Sequence, residues 1–185
     1  EQLAGLRAIP NLTVLRPCDA IETFECWEIA LMQKNTPTVL ALSRQSVPLL
    51  RNDYKVNKSI MGAYVIKKSN KPKIKIISTG SEVSLAVKIF NNLNELKISS
   101  DVISMPSMEL FEAQKESYKR KVLGDEVKII IEAASDFGWH KYINGNGKIF
   151  CINSFGESGK GEDLYKHFGL NADMITKEIV EEYFR

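Results

Sequence analysis
The chain has 185 residues, of which 44% are hydrophobic and 26% charged, and its formal net charge is +2. This composition is typical of a soluble globular protein, and so small a charge gives no reason to expect binding to nucleic acid or to a membrane surface. No apolar run approaches the roughly 18 residues of a membrane span. The cysteines number three, an odd count that argues against a disulfide framework, and we expect a cytoplasmic protein.

The first 47 residues predict a parallel strand–helix–strand unit. The predicted elements are a helix over 1–8, a strand over 12–15, a helix from Asp19 to about Gln33 and a strand over 38–42. Asp19 followed by Glu22 forms a capping-box-like start for the long helix. The apolar residues expected on the inward side of this helix are Ile21, Phe24 and Trp27, or alternatively Ile29 and Leu31.

The strand over 38–42 leads to the candidate site residue. Its apolar, branched side chains predict a strand that is buried on both faces, as in the interior of a parallel sheet. Ser43, Arg44 and Gln45 leave the sheet at the carboxyl end of the strand, the edge at which ligands gather in open α/β sheets. A guanidinium there can bind a phosphate or carboxylate through two parallel hydrogen bonds. The local pattern by itself favours the other interpretation, an arginine paired with a surface carboxylate.

Residues 1–47 contain too few strands to bury a core of their own. The chain begins at Glu1, without methionine, in what the pattern indicates is the middle of a folded domain. We therefore expect a piece of a longer protein, in which residues 1–47 are the end of a domain that starts outside this sequence. Residues 48–61 are mostly polar, which predicts a linker.

Residues 62–185 alternate between strand and helix patterns, which predicts an α/β domain with three α/β/α layers. Strands are expected over 62–68, 73–78, 101–105, 127–133 and 148–152, and helices over 82–96, 108–114, 115–123, 136–143, 162–168 and 172–183. The turn over 69–72 joins the first two strands so tightly that they should run antiparallel. Asn171 is expected to cap the last helix.

Other motifs give weaker signals. Thr79-Gly80-Ser81 lies between a strand and a helix, where an anion can bind, although an ordinary tight turn is the interpretation we favour. The glycines over 155–159, the lone His140 and the basic run over 119–121 have ordinary structural interpretations. No nucleophile–base set and no metal-ligand spacing can be assembled from the sequence.

Several motifs, in order, resemble those of transketolases. Those similar to the end of the pyrimidine-binding domain of that family are E-Q-L-A-G-L-R-A-I-P-N from Glu1, L-R-P-C-D over 15–19 and L-S-R-Q over 42–45. Those similar to its carboxyl-terminal domain are T-G-S-E-V over 79–83, V-I-S-M-P-S over 102–107, I-E-A over 131–133 and S-F-G-E-S-G over 154–159. The resemblance covers essentially the whole chain. Related thiamine diphosphate enzymes, such as deoxyxylulose phosphate synthase, share the domain order but fit the last motif and L-S-R-Q less well.

The resemblance implies an enzyme of the pentose phosphate pathway that transfers a two-carbon ketol unit from a ketose phosphate to an aldose phosphate. In the family this chemistry is carried by thiamine diphosphate with a divalent metal, magnesium or calcium, at the interface of a homodimer. The L-S-R-Q arginine of the family binds the sugar phosphate, and the resemblance therefore assigns that role to Arg44. It also implies a mixed five-stranded sheet with one antiparallel edge strand for residues 62–185.

Several parts of the family's site lie outside this sequence. The glycine–aspartate metal motif, the glutamate that activates the cofactor and a substrate-binding histidine upstream of Glu1 are absent from it. We therefore expect this segment to contain no catalytic, cofactor-binding or metal-binding residue, and the 185-residue chain to be inactive. The alternative is a stand-alone interaction or regulatory module that binds an anion at Gly80 or pairs with a separate catalytic chain.

Overall fold
Helices and strands alternate along most of the chain in the computed structural model, which describes residues 1–143 and 145–184. The strands are β1 (Thr13–Leu15), β2 (Thr38–Leu40), β3 (Tyr64–Lys67), β4 (Ile74–Ser78), β5 (Ser100–Ser104), β6 (Val127–Ile131) and β7 (Gly147–Phe150). The α-helices are α1 (Gln2–Arg7), α2 (Ala20–Met32), α3 (Glu82–Glu95), α4 (Met108–Glu112), α5 (Glu116–Leu123), α6 (His140–Ile143), α7 (Gly161–His167) and α8 (Ala172–Tyr183), and Ser59–Met61 forms one 3₁₀ turn. We refer to residues 1–47 as the N-terminal unit and to the described residues from 62 onward as the C-terminal unit.

The N-terminal unit contains a small parallel sheet. β1 and β2 pair from Thr13 with Thr38 to Leu15 with Leu40, and α2 connects them. The predicted parallel strand–helix–strand unit is therefore confirmed. The expectation that β2 is buried on both faces is wrong, because all of its residues are only partly buried. Among the described strands β2 has a neighbour on one side only, so the cover of an interior strand is missing.

Helix α2 turns acidic side chains, rather than its aromatic ones, toward the rest of the molecule. Glu22 and Glu25 are 0% and 3% exposed, and Ile29 is also buried. The exposed apolar residues of the helix are Phe24, Trp27, Leu31 and Met32, with 72%, 51%, 79% and 69% exposure, while Ile21 is partly buried. The inward placement expected for Phe24, Trp27 and Leu31 is therefore wrong. Hydroxyl and amide donors meet both carboxylates, and Arg51 pairs with Glu25, which offsets part of the cost of burying them.

The C-terminal unit contains a mixed five-stranded sheet in the order β3-β5-β4-β6-β7. β3 runs antiparallel to β5 at one edge, and the other neighbours are parallel, which confirms the sheet implied by the family resemblance. The tight turn over 69–72 does not form a hairpin, because β5 lies between β3 and β4. Asp101 of β5 accepts the Ser69 N–H at 2.8 Å and pairs with Lys75 of β4 at 2.7 Å, which connects the turn and β4 to the intervening strand.

Alternate side chains of this sheet pack into cores on its two faces. Ile76 of β4 and Ile129 of β6 lie in the core formed with α3 and α8. Ile77 and Ile130, their sequence neighbours, lie in the core formed with α4, α5 and α6 around Trp139. All of these side chains are fully buried. Burial on both faces is typical of parallel strands covered by helices, and it confirms the three-layer arrangement.

Candidate functional site
The carboxyl edges of the two sheets meet at Arg16, the residue that follows β1. The Arg16 N–H donates to the Pro106 carbonyl, just beyond β5, at 2.8 Å. The Arg16 carbonyl accepts the N–H of Gly80, just beyond β4, at 3.0 Å and the Thr79 hydroxyl at 3.3 Å. Loops at the carboxyl edge of a parallel sheet are where ligands bind in open α/β folds. The junction therefore places two such edges next to each other.

Arg44 lies in the loop that leaves β2 at this junction. The Ala41 N–H donates to the Leu15 carbonyl at 2.8 Å, which extends the strand pairing by one residue. Ser43 and Gln45 then form a turn, in which the Gln45 N–H donates to the Ser43 hydroxyl at 3.2 Å and that hydroxyl donates to the Gln45 carbonyl at 3.1 Å. Arg44 itself is exposed. Among the described residues no carboxylate lies within ion-pair distance of its guanidinium, so the alternative of a surface ion pair is not observed there.

A cluster of buried charges joins the two units beside this loop. The Arg7 guanidinium pairs with Glu132 through two hydrogen bonds, of 2.8 and 2.9 Å. Arg16 Nη1 lies 3.2 Å from Glu132 Oε1 and 2.5 Å from Glu82 Oε2. The indole N–H of Trp139 donates to Glu132 at 2.5 Å. Both glutamates are 0% exposed, and we call these five residues the Arg16 cluster.

The charges of the Arg16 cluster stabilise one another. Burial alone would raise the pKa of Glu132, but the hydrogen bond from Arg7, the charges of Arg7 and Arg16 and the Trp139 donor outweigh it, and the pKa lies below its ordinary value. Burial likewise lowers the pKa of Arg16, but the carboxylates of Glu82 and Glu132 outweigh burial and raise it. Arg16 and Glu132 therefore both carry their charges at neutral pH, so they position the units rather than transfer protons.

Glu82, the first residue of α3, extends the cluster to α7. Its carboxylate accepts the Ala133 N–H at 3.1 Å, the Ser81 hydroxyl at 2.5 Å and the hydroxyl of Tyr165 on α7. Burial and the nearby Glu82 charge raise the pKa of Tyr165, so its hydroxyl keeps the proton that it donates. One carboxylate thus connects the N-terminal unit, α3 and α7.

The turn at Gly80 is occupied by the Arg16 side chain. Gly80 has φ +56°, and a Cβ there would lie 2.8 Å from Arg16 Cγ and Nε. Its N–H already donates to the Arg16 carbonyl. The Gly80 N–H is therefore not free to bind an anion, which favours the tight-turn interpretation of Thr79-Gly80-Ser81.

A second set of buried polar contacts joins α2 to the C-terminal unit and the residues before it. The Glu22 carboxylate accepts the Tyr64 hydroxyl at 2.7 Å and the Ser104 hydroxyl at 2.6 Å. Glu25 accepts the Ser59 hydroxyl at 2.6 Å. Burial raises the pKa of Glu22 above its ordinary value despite these donors. The N-terminal unit is thus held by polar contacts at two separate places.

Two clefts open beside the loop that carries Arg44. One, of about 240 Å³, is lined by Leu42 and Ser43 of the loop and by Arg16 and Ser81 from the junction. The other, of about 590 Å³, lies between the continuation of the loop and helices α3 and α7. Each cleft is lined by both units, so their relative placement determines the space beside the loop.

The remaining motifs have the ordinary roles expected of them. His140 lies 3.1 Å from Asp136 at the surface, Lys119 pairs with Glu116 at 2.6 Å, and Phe155 is 95% exposed. Within residues 1–143 and 145–184, no three His, Cys, Asp or Glu side chains form a group that could hold a metal ion. None of the helices in the described part of the chain combines the length and the hydropathy needed to cross a membrane.

The roles of Arg7, Arg16, Glu82 and Glu132 in this cluster were not predicted from the sequence. A usable signal was present for the glutamates, because each stands within four residues of the carboxyl end of an apolar strand. Their pairing with the arginines could not be predicted, since Arg7 and Glu132 are 125 residues apart in sequence.

Comparison with known families matches both parts of the chain. Residues 62–171 match the family described as transketolase-like TK C-terminal domain. Residues 1–49 match the family described as transketolase, pyrimidine binding domain. The two matches follow each other in the order that the motifs indicate.

Individual relatives agree with these matches. The transketolase of Sinorhizobium medicae is 50% identical over 184 residues, which are 98% of this chain and 26% of that protein. The crystal structure of the Campylobacter jejuni transketolase superposes with a TM-score of 0.89 at 35% identity, over 98% of this chain and 28% of that one. A Pichia stipitis transketolase solved in complex with sedoheptulose-7-phosphate gives a TM-score of 0.89 at 36% identity, over 97% and 26% of the two chains. The chain spans about a quarter of the length of these relatives, and it belongs to the transketolase family.

Proposed function
We propose that this chain is the C-terminal part of a transketolase that transfers a two-carbon ketol unit between sugar phosphates, and that Arg44 binds the sugar phosphate. The observation that carries the proposal is the position of Arg44, exposed and without a carboxylate partner among the described residues, at the carboxyl end of β2. Family membership supports the reaction type. The Pichia stipitis relative was solved with a sugar phosphate bound, which supports the substrate class.

Arg44 suits a phosphate because of its geometry and surroundings. A guanidinium presents parallel N–H donors that match two phosphate oxygens. A phosphate bound there would be remote from the reacting carbon of the substrate, so Arg44 would contribute positioning rather than chemistry. The 240 Å³ cleft is lined by Ser43, the residue before Arg44 in the loop.

The proposed division of the chain follows the sequence patterns. Residues 1–47 would be the last part of the pyrimidine-binding domain, 48–61 the linker and 62–185 the transketolase C-terminal domain. In support, the two family matches cover 1–49 and 62–171. We also propose that the intact enzyme is a cytoplasmic homodimer.

The intact enzyme would use thiamine diphosphate and magnesium or calcium, as its family does. The described residues do not fit this pair. No metal-holding group of His, Cys, Asp or Glu forms among them, and the Gly80 N–H, an obvious phosphate donor, is bonded to Arg16. We propose that the cofactor site lies outside this segment, and we assign no step of the reaction through it.

The role of Arg44 can be tested in the complete enzyme with Arg44→Ala. Losing a charge-assisted hydrogen bond of about 1.5–3 kcal/mol should lower kcat/KM for a phosphorylated ketose by roughly 10- to 100-fold. An unphosphorylated ketose should be used as before. Arg120→Ala, which changes an exposed arginine on α5, is the matched control and should alter neither value. Equal losses for both substrates in Arg44→Ala would contradict the proposal.

The purified 185-residue chain should show no ketol transfer, and measurable transfer would contradict the placement of the cofactor site. The intact mass of the protein from its native cell distinguishes the two origins of the chain. A mass about four times that of the chain fits a whole transketolase, since relatives are about four times as long. A mass equal to that of the chain would favour the stand-alone module.

A further inference from the structure
We propose that the C-terminal unit acts as a positioning device for the phosphate-binding arginine, through contacts that orient the loop over residues 41–50 without touching the substrate. This inference rests on the proposed role of Arg44. It assigns a function in sugar-phosphate recognition to Gly161, Tyr165 and Glu82, which lie far from Arg44 in sequence.

The first link of the loop acts through β1. Ala41 is bonded to the Leu15 carbonyl, so the start of the loop follows the end of β1. Arg16 directly follows β1. Its N–H donates a hydrogen bond to the Pro106 carbonyl and its carbonyl accepts one from the Gly80 N–H, both in the C-terminal unit. Its side chain is held by Glu82 and Glu132, as described above. The start of the loop is therefore placed by the C-terminal unit.

The second link is the close approach of the Gln45 side chain to α7. A Cβ on Gly161, the first residue of α7, would lie 2.8 Å from Gln45 Nε2, which shows how closely the amide approaches the helix. Tyr165, one turn further along α7, donates to Glu82. Helix α7, which Gln45 approaches, is therefore hydrogen-bonded to Glu82, the carboxylate that also pairs with Arg16. Both links of the loop thus lead to the same carboxylate.

A third contact holds the end of the loop. The Leu50 N–H donates to Asp19 Oδ2 at 3.0 Å, beside the start of α2. Arg44 therefore lies between Ala41, which is hydrogen-bonded to Leu15, and Gln45, whose amide approaches α7, and Leu50 is held further along. Its own side chain is exposed and makes no ion pair with the described residues. Its orientation thus depends on the backbone that these links hold.

Such positioning has a measurable consequence. A misplaced group that holds the substrate away from the reacting carbon loses binding that the ground state and the transition state share, which raises KM and leaves kcat nearly unchanged. The expected effect is confined to substrates that bear a phosphate, because only they contact Arg44. A purely structural role of the same contacts would instead affect all substrates alike.

Gly161→Leu in the complete enzyme is the principal test. The added side chain meets Gln45 at the flexible end of its amide, and leucine is tolerated at a helix start, so the variant should fold. We expect KM for a phosphorylated ketose to rise about tenfold with kcat nearly unchanged. KM for an unphosphorylated ketose should stay the same. Gly156→Leu is the matched control, because nothing lies within 4 Å of a Cβ at Gly156.

The same substitution in the Arg44→Ala background separates the inference from the proposed function. If the device acts through Arg44, Gly161→Leu should have no further effect there, a non-additivity typical of coupled residues. An additive effect, or equal effects on both substrates, would overturn the inference while Arg44 keeps its role. Equal losses for both substrates in Arg44→Ala alone would overturn the proposed function itself.

Tyr165→Phe provides a second, milder variant. It removes one hydrogen bond to Glu82 and preserves the packing of the ring. The effect should be smaller than that of Gly161→Leu, because the Ser81 and Ala133 donors to Glu82 remain. We expect KM for the phosphorylated substrate to rise about threefold by the same selective pattern. If neither Gly161→Leu nor Tyr165→Phe raised KM selectively for the phosphorylated substrate, the inference would be contradicted.

Discussion

The two units bury different kinds of side chain. In the C-terminal unit, apolar residues such as Ile76 and Ile77 are fully buried on both faces of the sheet. In the N-terminal unit the buried apolar cluster contains Leu15, Cys26 and Ile29, and the contacts with the C-terminal unit include buried charges and hydroxyl hydrogen bonds. Apolar burial is non-directional, whereas a buried carboxylate needs donors at defined places. The C-terminal unit therefore stabilises itself, and the N-terminal unit depends on the donors that its neighbour supplies.

Separating the two units should give the largest effect. We expect residues 62–185 alone to unfold cooperatively on heating, because both faces of their sheet keep their cover. Residues 1–61 alone should show no cooperative transition, since a two-stranded sheet with one long helix is at best marginally stable. Circular dichroism during thermal unfolding measures both, with the full chain as reference. A cooperative transition in residues 1–61 would contradict the comparison.

The C-terminal unit was also the more predictable one. Its strands show in the sequence as apolar runs such as V-K-I-I-I-E-A, and Asn171 was expected to cap α8, where it accepts the N–H groups of Asp173 and Met174 at 3.0 and 3.1 Å. The partner of β3 could not be inferred from its turn. A short turn indicates the direction of the next strand, but the position of β5 between the two depends on contacts remote in sequence.

The N-terminal unit shows where sequence patterns fail. On α2, the series Phe24–Trp27–Leu31 and the series Glu22–Glu25–Ile29 both have helical spacing, and hydrophobicity selects the wrong one. The deciding donors, Tyr64 and Ser104, lie beyond the linker. Arg44 is an intermediate case. Its place at a strand end could be predicted, but the residues alone left its partner open, and the phosphate role came from the family resemblance.

Glu132→Gln should have the next largest effect, on the free energy of unfolding at neutral pH. It leaves Arg7 without its charged partner, and breaking a buried pair in this way costs about 3–5 kcal/mol. Urea unfolding of the purified chain measures the loss. A matched comparison is Glu22→Gln, which removes a buried carboxylate that no arginine contacts directly.

The two substitutions should respond to pH in opposite directions. The pKa of folded Glu132 lies below the ordinary 4.5, so its stabilisation is complete above that pH and is lost as the pH falls through the folded pKa. The pKa of folded Glu22 lies above 4.5, so its contribution is complete below that pH and is lost as the pH rises through the folded pKa. The deficit of Glu132→Gln should therefore shrink on acidification, and that of Glu22→Gln should grow. The same direction for both would contradict the assigned electrostatics.

The smallest effect is expected on the outer face of α2, which no residue in the described part of the chain covers. Leu31 is 79% exposed, and lysine forms helices about as well as leucine, so Leu31→Lys should change the free energy of unfolding by no more than about 0.5 kcal/mol. Ile29, two residues earlier, is 4% exposed, and Ile29→Ala should cost about 2–5 kcal/mol. Urea unfolding of the two variants compares the faces of one helix. If Leu31→Lys lowered the free energy of unfolding about as much as Ile29→Ala, the outer face of α2 would be packed against another molecule in solution. A second copy of the chain would then have to supply that cover.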